Sequence, residues 1–243
     1  MTDVKKTDLM LWRMIQHSKA QFIAVLVIIT VGIAIFTAIS LAGVNLEDSK
    51  NQYYKENAFA DLSITVQKMP ASLIGDLRSV EGIALAEGRL TAEVPFIADD
   101  GERVNVKLLS IPSSGQNVNI LLLKEGRFIK NVNEEVIVLS QFAEGRGIVL
   151  GDEIAVQVNG VRCELEVVGI AYSPEFIYLI ESAQSMMPAP ENYGVLYVDE
   201  ALAMQLMGMN GAYNEVFFLY ETDKNGSMSK DYKEEDIIDE IEK

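Results

Sequence analysis

Apolar and polar residues alternate most regularly between Ile154 and Val167. Ile154 to Val158 alternates over five positions. Asn159-Gly160 follows, the dipeptide best suited to the positive φ angles of a type I′ turn. Val161, Cys163, Leu165 and Val167 then share one face, and Arg162, Glu164 and Glu166 the other. This pattern predicts a half-buried hairpin whose register the side chains set, because a slip by one residue would expose the apolar face. Upstream, Glu135–Leu139 reads as a strand, Ser140–Gly145 as a short helix and Gly147–Asp152 as the turn into the hairpin.

The same reading covers the rest of the chain. Ala60–Gln67 alternates as a strand. Met69-Pro70-Ala71-Ser72 is expected to open a helix running to about Val80, with Gly82 ending it. Ile83–Ile97 is extended, with a break expected near Glu87-Gly88. Asp99-Asp100-Gly101-Glu102 makes a turn, Arg103–Ile111 a strand, 113–117 a loop and Lys124–Phe128 a turn. Pro174 forces a break or an edge position into Ala171–Leu179, and 182–192 is a loop. Gly194–Val198 is a strand, Asp199–Met207 a helix capped by Asp199, and Asn214–Tyr220 a strand. Strand–helix–strand therefore occurs twice, near 60–97 and near 194–220.

No charged residue occurs from Ala20 to Leu46. About 20 apolar residues cross a bilayer core as a helix, so residues 22–44 are long enough to span. The rival is a cleaved signal peptide ending near Ser40-Leu41-Ala42, but an apolar signal region is typically about 7–15 residues. Lys5, Lys6, Arg13 and Lys19 precede the run, and Glu47 and Asp48 follow it. Positive residues stay inside, so the amino terminus is expected in the cytoplasm and the rest outside. Residues 1–21 form an interfacial segment, with Thr7 or Asp8 as a helix cap and Trp12 at headgroup level. Residues 45–59 extend the helix outward as a stalk. The tail from 223 to 243 is a charged linker or the start of a helix returning to the membrane, with Ile237, Ile238 and Ile241 at helical spacing.

The net charge of −16 over 243 residues lies mainly outside. It argues against nucleic acid, which needs a basic footprint. The one histidine, His17, falls in the cytoplasmic segment, and the one cysteine, Cys163, is on the apolar strand face, where a buried core role is expected. Nucleophilic triads and His/Cys zinc sites are therefore not expected outside. No P-loop motif occurs, so the chain does not bind ATP in that manner. Met186, Met187, Met204, Met207 and Met209 have thioether chemistry suited to Cu(I), but helical spacing makes packing the better account of Met204 and Met207. No catalytic, cofactor or metal residues are assigned, and no enzyme activity is expected.

Taken in order, Asn133-Glu134-Glu135-Val136-Ile137-Val138, Ala143, Gly151-Asp152-Glu153-Ile154, Asn159-Gly160 and Val167-Val168-Gly169-Ile170 resemble the extracytoplasmic core domain of MacB/FtsX-like ABC transporter permeases. Lys124–Phe128 resembles the "L..GR.." that precedes that motif. Leu11-Trp12-Arg13-Met14-Ile15, Ser18 and Phe22 resemble the family's approach to its first span. The resemblance implies an α+β fold: one amino-terminal transmembrane helix, then a core domain over 60–222. Within the core, an α/β subdomain from about 60–97 and 194–222 would carry an inserted β-rich subdomain, about 98–193. It also implies a subunit, or the front half of one, that relays motion of a separate cytoplasmic ABC ATPase to an extracytoplasmic domain for export or for lipoprotein or peptide handling. Implied partners are that ATPase, further permease spans or a second permease copy, and the plasma membrane. Three more spans follow in full-length relatives. The alternative is a free-standing, single-span receptor or adhesion module that binds an extracellular ligand.

Overall fold

The uncharged run and the polar stretch after it form one continuous helix, α1 (Lys19–Glu56), in the computed structural model, which describes residues 10, 13, 18–98, 101–177, 179, 190–222 and 234–241. At 1.5 Å per residue its 38 residues extend about 57 Å, against a hydrocarbon core of about 30 Å. Among the described residues it is the one helix long and apolar enough to cross a membrane. The chain divides into two units, Met1–Tyr53 and Tyr54–Lys243.

The second unit is α+β and contains two sheets. Strands β1 (Leu62–Pro70), β2 (Ile83–Arg89) and β10 (Ala212–Tyr220) form a small antiparallel sheet in the order β1-β10-β2. The short helix α2 (Leu73–Arg78) and α5 (Glu234–Ile241) supply Ile74 and Ile237 to its core, against Ile83, Ala86, Val216, Phe218 and Tyr220. Met69 and Pro70, expected to open the helix, instead end β1.

The larger sheet contains β3 (Thr91–Ile97), β4 (Arg103–Ile111), β5 (Leu122–Gly126), β6 (Glu135–Leu139), β7 (Glu153–Val158), β8 (Val161–Tyr172) and β9 (Tyr193–Asp199). Its order is β5-β8-β6-β9-β4-β3-β7, and β7 pairs back onto β8. The twelve residues of β8 make this possible: Val161–Glu166 pair with β7, and Gly169–Tyr172 with β5. Six strands thus close into a barrel, which removes most of the open edges of a flat sheet. Val106, Leu108, Val138, Val156, Leu165 and Leu196 share its inner face and fill it with no exposed surface. Helix α3 (Ser140–Arg146) inserts Phe142, which meets Phe96 edge-on at 5.3 Å. The hairpin forms where the alternation places it, with Asn159 at φ 49° and Gly160 at φ 82°.

The split between the sheets differs from the expected 60–97, 98–193 and 194–222. β3, β9 and α4 (Glu200–Met207) belong with the barrel, and the small sheet keeps only residues 62–89 and 212–220. The cause is non-local. All seven residues of β9 are buried, and it runs parallel to β4 from Asn105↔Tyr193 to Ile111↔Asp199. The break expected at Glu87-Gly88 lies at Leu90. Gly88 is mid-strand, where a Cβ would overlap the Tyr213 ring. Lys124–Phe128, read as a turn, contains the end of β5.

Cys163 is half-buried rather than fully enclosed, and burial, then the Glu164 charge, raises its thiol pKa. At the β5 end, Arg127 donates two hydrogen bonds of 2.7 Å to the Glu135 carboxylate, and the Lys130 N–H donates another. These bonds, Arg127's first, hold the Glu135 pKa at about 2, against 4.5 for the free group. A depressed carboxylate stabilises the fold fully above the unfolded pKa, and that contribution is lost as pH falls toward the folded one. Stability should therefore fall between about pH 4.5 and pH 2, and less steeply in Glu135→Gln. Urea unfolding of both proteins across that window checks this.

Candidate functional site

Among the described residues, no group of three or more His, Cys, Asp and Glu is arranged to hold a metal ion. His17, Met186 and Met187 lie outside the described residues. Met204, Met207 and Met209 pack partly buried against the barrel core. What the fold does build are two joints within the second unit, one at the carboxy-terminal end of α1 and one between the two sheets.

The first joint begins as a helix C-cap. Ala58 adopts φ 46°, the Ala58 N–H donates to the Lys55 carbonyl at 3.3 Å, and the Phe59 N–H to the Tyr54 carbonyl at 2.9 Å. This is the Schellman pair of bonds, and the hydrophobic contact that accompanies it is Tyr54 stacked on Phe59, 4.5 Å between centroids. Glycine is the usual residue at that position. Ala58→Gly should raise stability by about 1 kcal/mol, since a left-handed L-residue costs about 1–2 kcal/mol; a lower unfolding midpoint would show that the Cβ is needed.

A distant loop then clasps the capped end. Asn119 and Ile120 donate their N–H groups to the carbonyls of Ala58 (2.8 Å) and Asn57 (2.9 Å). The Asn119 side-chain oxygen accepts from the Ala60 N–H at 2.8 Å. Asn119 sits at φ 51°, a left-handed angle that asparagine tolerates better than most residues. Asn57 and Asn119 are both buried. The same loop reaches β2: Asn117 donates through its N–H and its side-chain amide to the Glu87 carboxylate. Burial raises the Glu87 pKa, and the Asn117 bonds oppose that rise. On the other side, the Asp61 N–H donates to the Phe218 carbonyl, and the Tyr220 N–H to the Asp61 carboxylate. The segment that leaves the helix, residues 57–61, is thus bonded to β10 and to the loop that follows β4.

The second joint centres on Arg89, the last residue of β2, whose side chain is 7% exposed. Its guanidinium donates to Glu215 of β10 (2.9 and 2.7 Å) and, in a two-pronged grip, to Glu175 beyond β8 (2.6 and 2.9 Å). It also lies over the Phe217 ring, 4.2 Å from the centroid. Burial alone would lower its pKa, but Glu175 and Glu215 outweigh that and raise it above the usual arginine value. Two residues on, Asn214 of β10 accepts from the Thr91 N–H and donates to the Thr91 carbonyl. Side chains of the small sheet therefore replace the missing strand partner at the start of β3. Sequence reasoning did not single out Arg89. Its signal was a lone cation between two buried residues, Gly88 and Leu90.

The protein is an α+β domain joined to one apolar helix. No protein-family model matches the sequence, and no curated protein matches it. Among solved structures, the chain is similar to the extracellular domain of the noncanonic ABC-type transporter YknZ from Gram-positive bacteria, at 17% identity and TM-score 0.44, covering 65% of this chain and 76% of that one. It is also similar to the periplasmic region of MacB from Actinobacillus actinomycetemcomitans, at 14% identity and TM-score 0.42, covering 73% and 72%. A domain of a putative permease protein from Porphyromonas gingivalis matches at 12% identity and TM-score 0.41, covering 73% and 74%.

Proposed function

We propose that this chain is a membrane-anchored permease subunit of a MacB/FtsX-like ABC transporter, relaying motion driven by a cytoplasmic ATPase to its outer domain. The observation that supports this reading is the helix cap. An anchored receptor module needs only a tether, and a tether needs no fixed geometry. Here the helix ends in a Schellman cap, an aromatic stack and three hydrogen bonds to or from Asn119 and Ile120. The ordered motif from Asn133 to Ile170 adds the family resemblance. In this reading α1 crosses the membrane with its amino terminus in the cytoplasm, the outer domain performs no catalysis, and a second permease copy or further spans complete the assembly.

The test uses the full chain with an amino-terminal tag in its own membrane. Protease added to spheroplasts should remove the region after about Asn45 and spare the tag. Solubilisation in mild detergent should then bring a P-loop ATPase down with the intact protein. A tag digested from outside would overturn the orientation. An intact, membrane-bound chain that recovers no ATPase would favour the receptor reading.

A further inference from the structure

Three carboxylates are buried among the described residues, those of Glu135, Asp199 and Glu215. Arg127 pairs with the first and Arg89 with the third. Asp199 is 3% exposed and has no cationic partner among the described residues. Its Oδ1 accepts from the Ala201 N–H at 2.8 Å, which caps α4, and its Oδ2 accepts from the Ser113 hydroxyl at 2.7 Å. Both donors are neutral. An ionised carboxylate has about four lone-pair sites, so about half of them are unused. The start of α4 adds at most about half a positive charge. The site therefore remains net negative, and a buried charge is costly unless it is paired.

Asp199 forms part of the wall of a pocket of about 290 Å³. That volume is at the small end for ligand sites, which run from about 300 to 1,000 Å³. The rest of the wall is mainly apolar, with Ile111, Pro112, Ile120, Phe128 and Ile129. The loop that closes it is held at several points. Ser113 ties its start to the α4 cap. Gln116 braces it from within, accepting from the Leu121 N–H at 3.3 Å and donating to the Asn119 carbonyl at 3.4 Å. Near its end, the Ile120 N–H donates to the Asn57 carbonyl. An apolar wall and a buried carboxylate without a counter-charge thus meet in one pocket.

We infer that this pocket binds a primary ammonium group carried on a short aliphatic stem, the chemistry of an alkylamine or a lysine side chain. The ammonium donates to Asp199, and the stem lies against the isoleucines, Pro112 and Phe128. Other ligand classes fit less well. An anion meets a carboxylate and a chain of net charge −16. Calcium takes about six to eight oxygen ligands, and one carboxylate among apolar walls falls short of that. A guanidinium fork grips both oxygens of a carboxylate, and here each oxygen already holds a neutral donor. An ammonium is a compact point charge that needs a single contact. Its stem buries apolar area that water otherwise covers. Ile120 belongs to the loop that clasps residues 57 and 58, so the ligand touches that loop. Binding of this kind needs no ATPase, so its failure would leave the relay reading untouched.

Methyl NMR of the full chain in detergent, labelled at isoleucine, provides the test. Single Ile→Val exchanges assign the methyls of Ile111, Ile120 and Ile129. The probes are N-acetyl-lysine methylamide, N-acetyl-norleucine methylamide, which lacks only the ammonium, and pentylamine, each raised to tens of millimolar. The lysine probe, pentylamine or both shift these three methyls saturably. The norleucine probe binds at least about tenfold more weakly than the lysine probe or pentylamine, because it makes no charge-assisted bond. A response to pentylamine alone assigns a free amine, and a response to the lysine probe alone assigns a side chain of a polypeptide. Asp199→Asn keeps the helix cap, since asparagine caps as well as aspartate. It weakens the cationic probes by about tenfold or more and leaves the norleucine probe unchanged. No shift with either amine, a norleucine probe as strong as the amines, or unchanged amine affinity in Asp199→Asn overturns the inference. If Asp199→Asn does not fold, the comparison of amine and norleucine probes on the unaltered chain decides alone.

Discussion

Arg89→Met is expected to destabilise the α+β domain by about 3–5 kcal/mol, the usual cost of removing one partner from a buried ion pair. The loss is large because the partners stay behind. Glu215 is 8% exposed, and without the guanidinium its carboxylate has neither water nor a counter-charge. Glu175, at 14% side-chain exposure, loses both of its bonds from the guanidinium. For a domain of this size about 1 kcal/mol shifts the melting temperature by about 2–4 °C, so a fall on the order of 10 °C should be seen by circular dichroism. Converting the carboxylates as well, in Arg89→Met/Glu175→Gln/Glu215→Gln, should recover part of that fall, since the burden is the unpaired charge rather than the lost packing. A melting temperature within about 2 °C of wild type for Arg89→Met would mean that the cluster is not what joins the two sheets.

That joint shows where the sequence was readable and where it was not. The 153–167 hairpin is a local object. Its alternation and its Asn-Gly turn lie in adjacent residues, and the register they imply is the one that forms. The Asp199 cap is local too, and its side chain accepts from the Ala201 N–H. Membership of the sheets is not local. Gly194–Val198 reads equally well as the start of a second strand–helix–strand copy or as a barrel strand. Only its parallel pairing with β4, some ninety residues earlier in the chain, decides between them. The α/β pattern repeated at both ends suggested one subdomain, but closure of the barrel through β8 takes β3 and β9 into the larger sheet.

The joints were hidden for a similar reason. Arg89 is one of many charged residues in a chain with 36 acidic side chains, and nothing nearby announces that its partners are Glu175 and Glu215. Ala58 conceals a left-handed helix cap that a glycine would have advertised. Asn119 is a common loop residue until its bonds to Ala58 and Ala60 are seen. Each signal was present as a residue type, and each acquired meaning only from a partner distant in sequence.

The central claim is that α1 and its capped end transmit displacement. Five Gly/Ser residues inserted after Asn51 test it most directly. Such a segment behaves as a random coil, and each glycine costs about 1 kcal/mol in a helix interior. The insertion precedes the cap, so Tyr54, Phe59 and the Asn119 clasp remain as they are. In the transporter assembly proposed for this chain, with the proposed ATPase present, ATP-dependent transport should be lost while the melting temperature of the α+β domain is unchanged. Transport that survives the insertion intact would contradict the lever and leave α1 as an anchor alone.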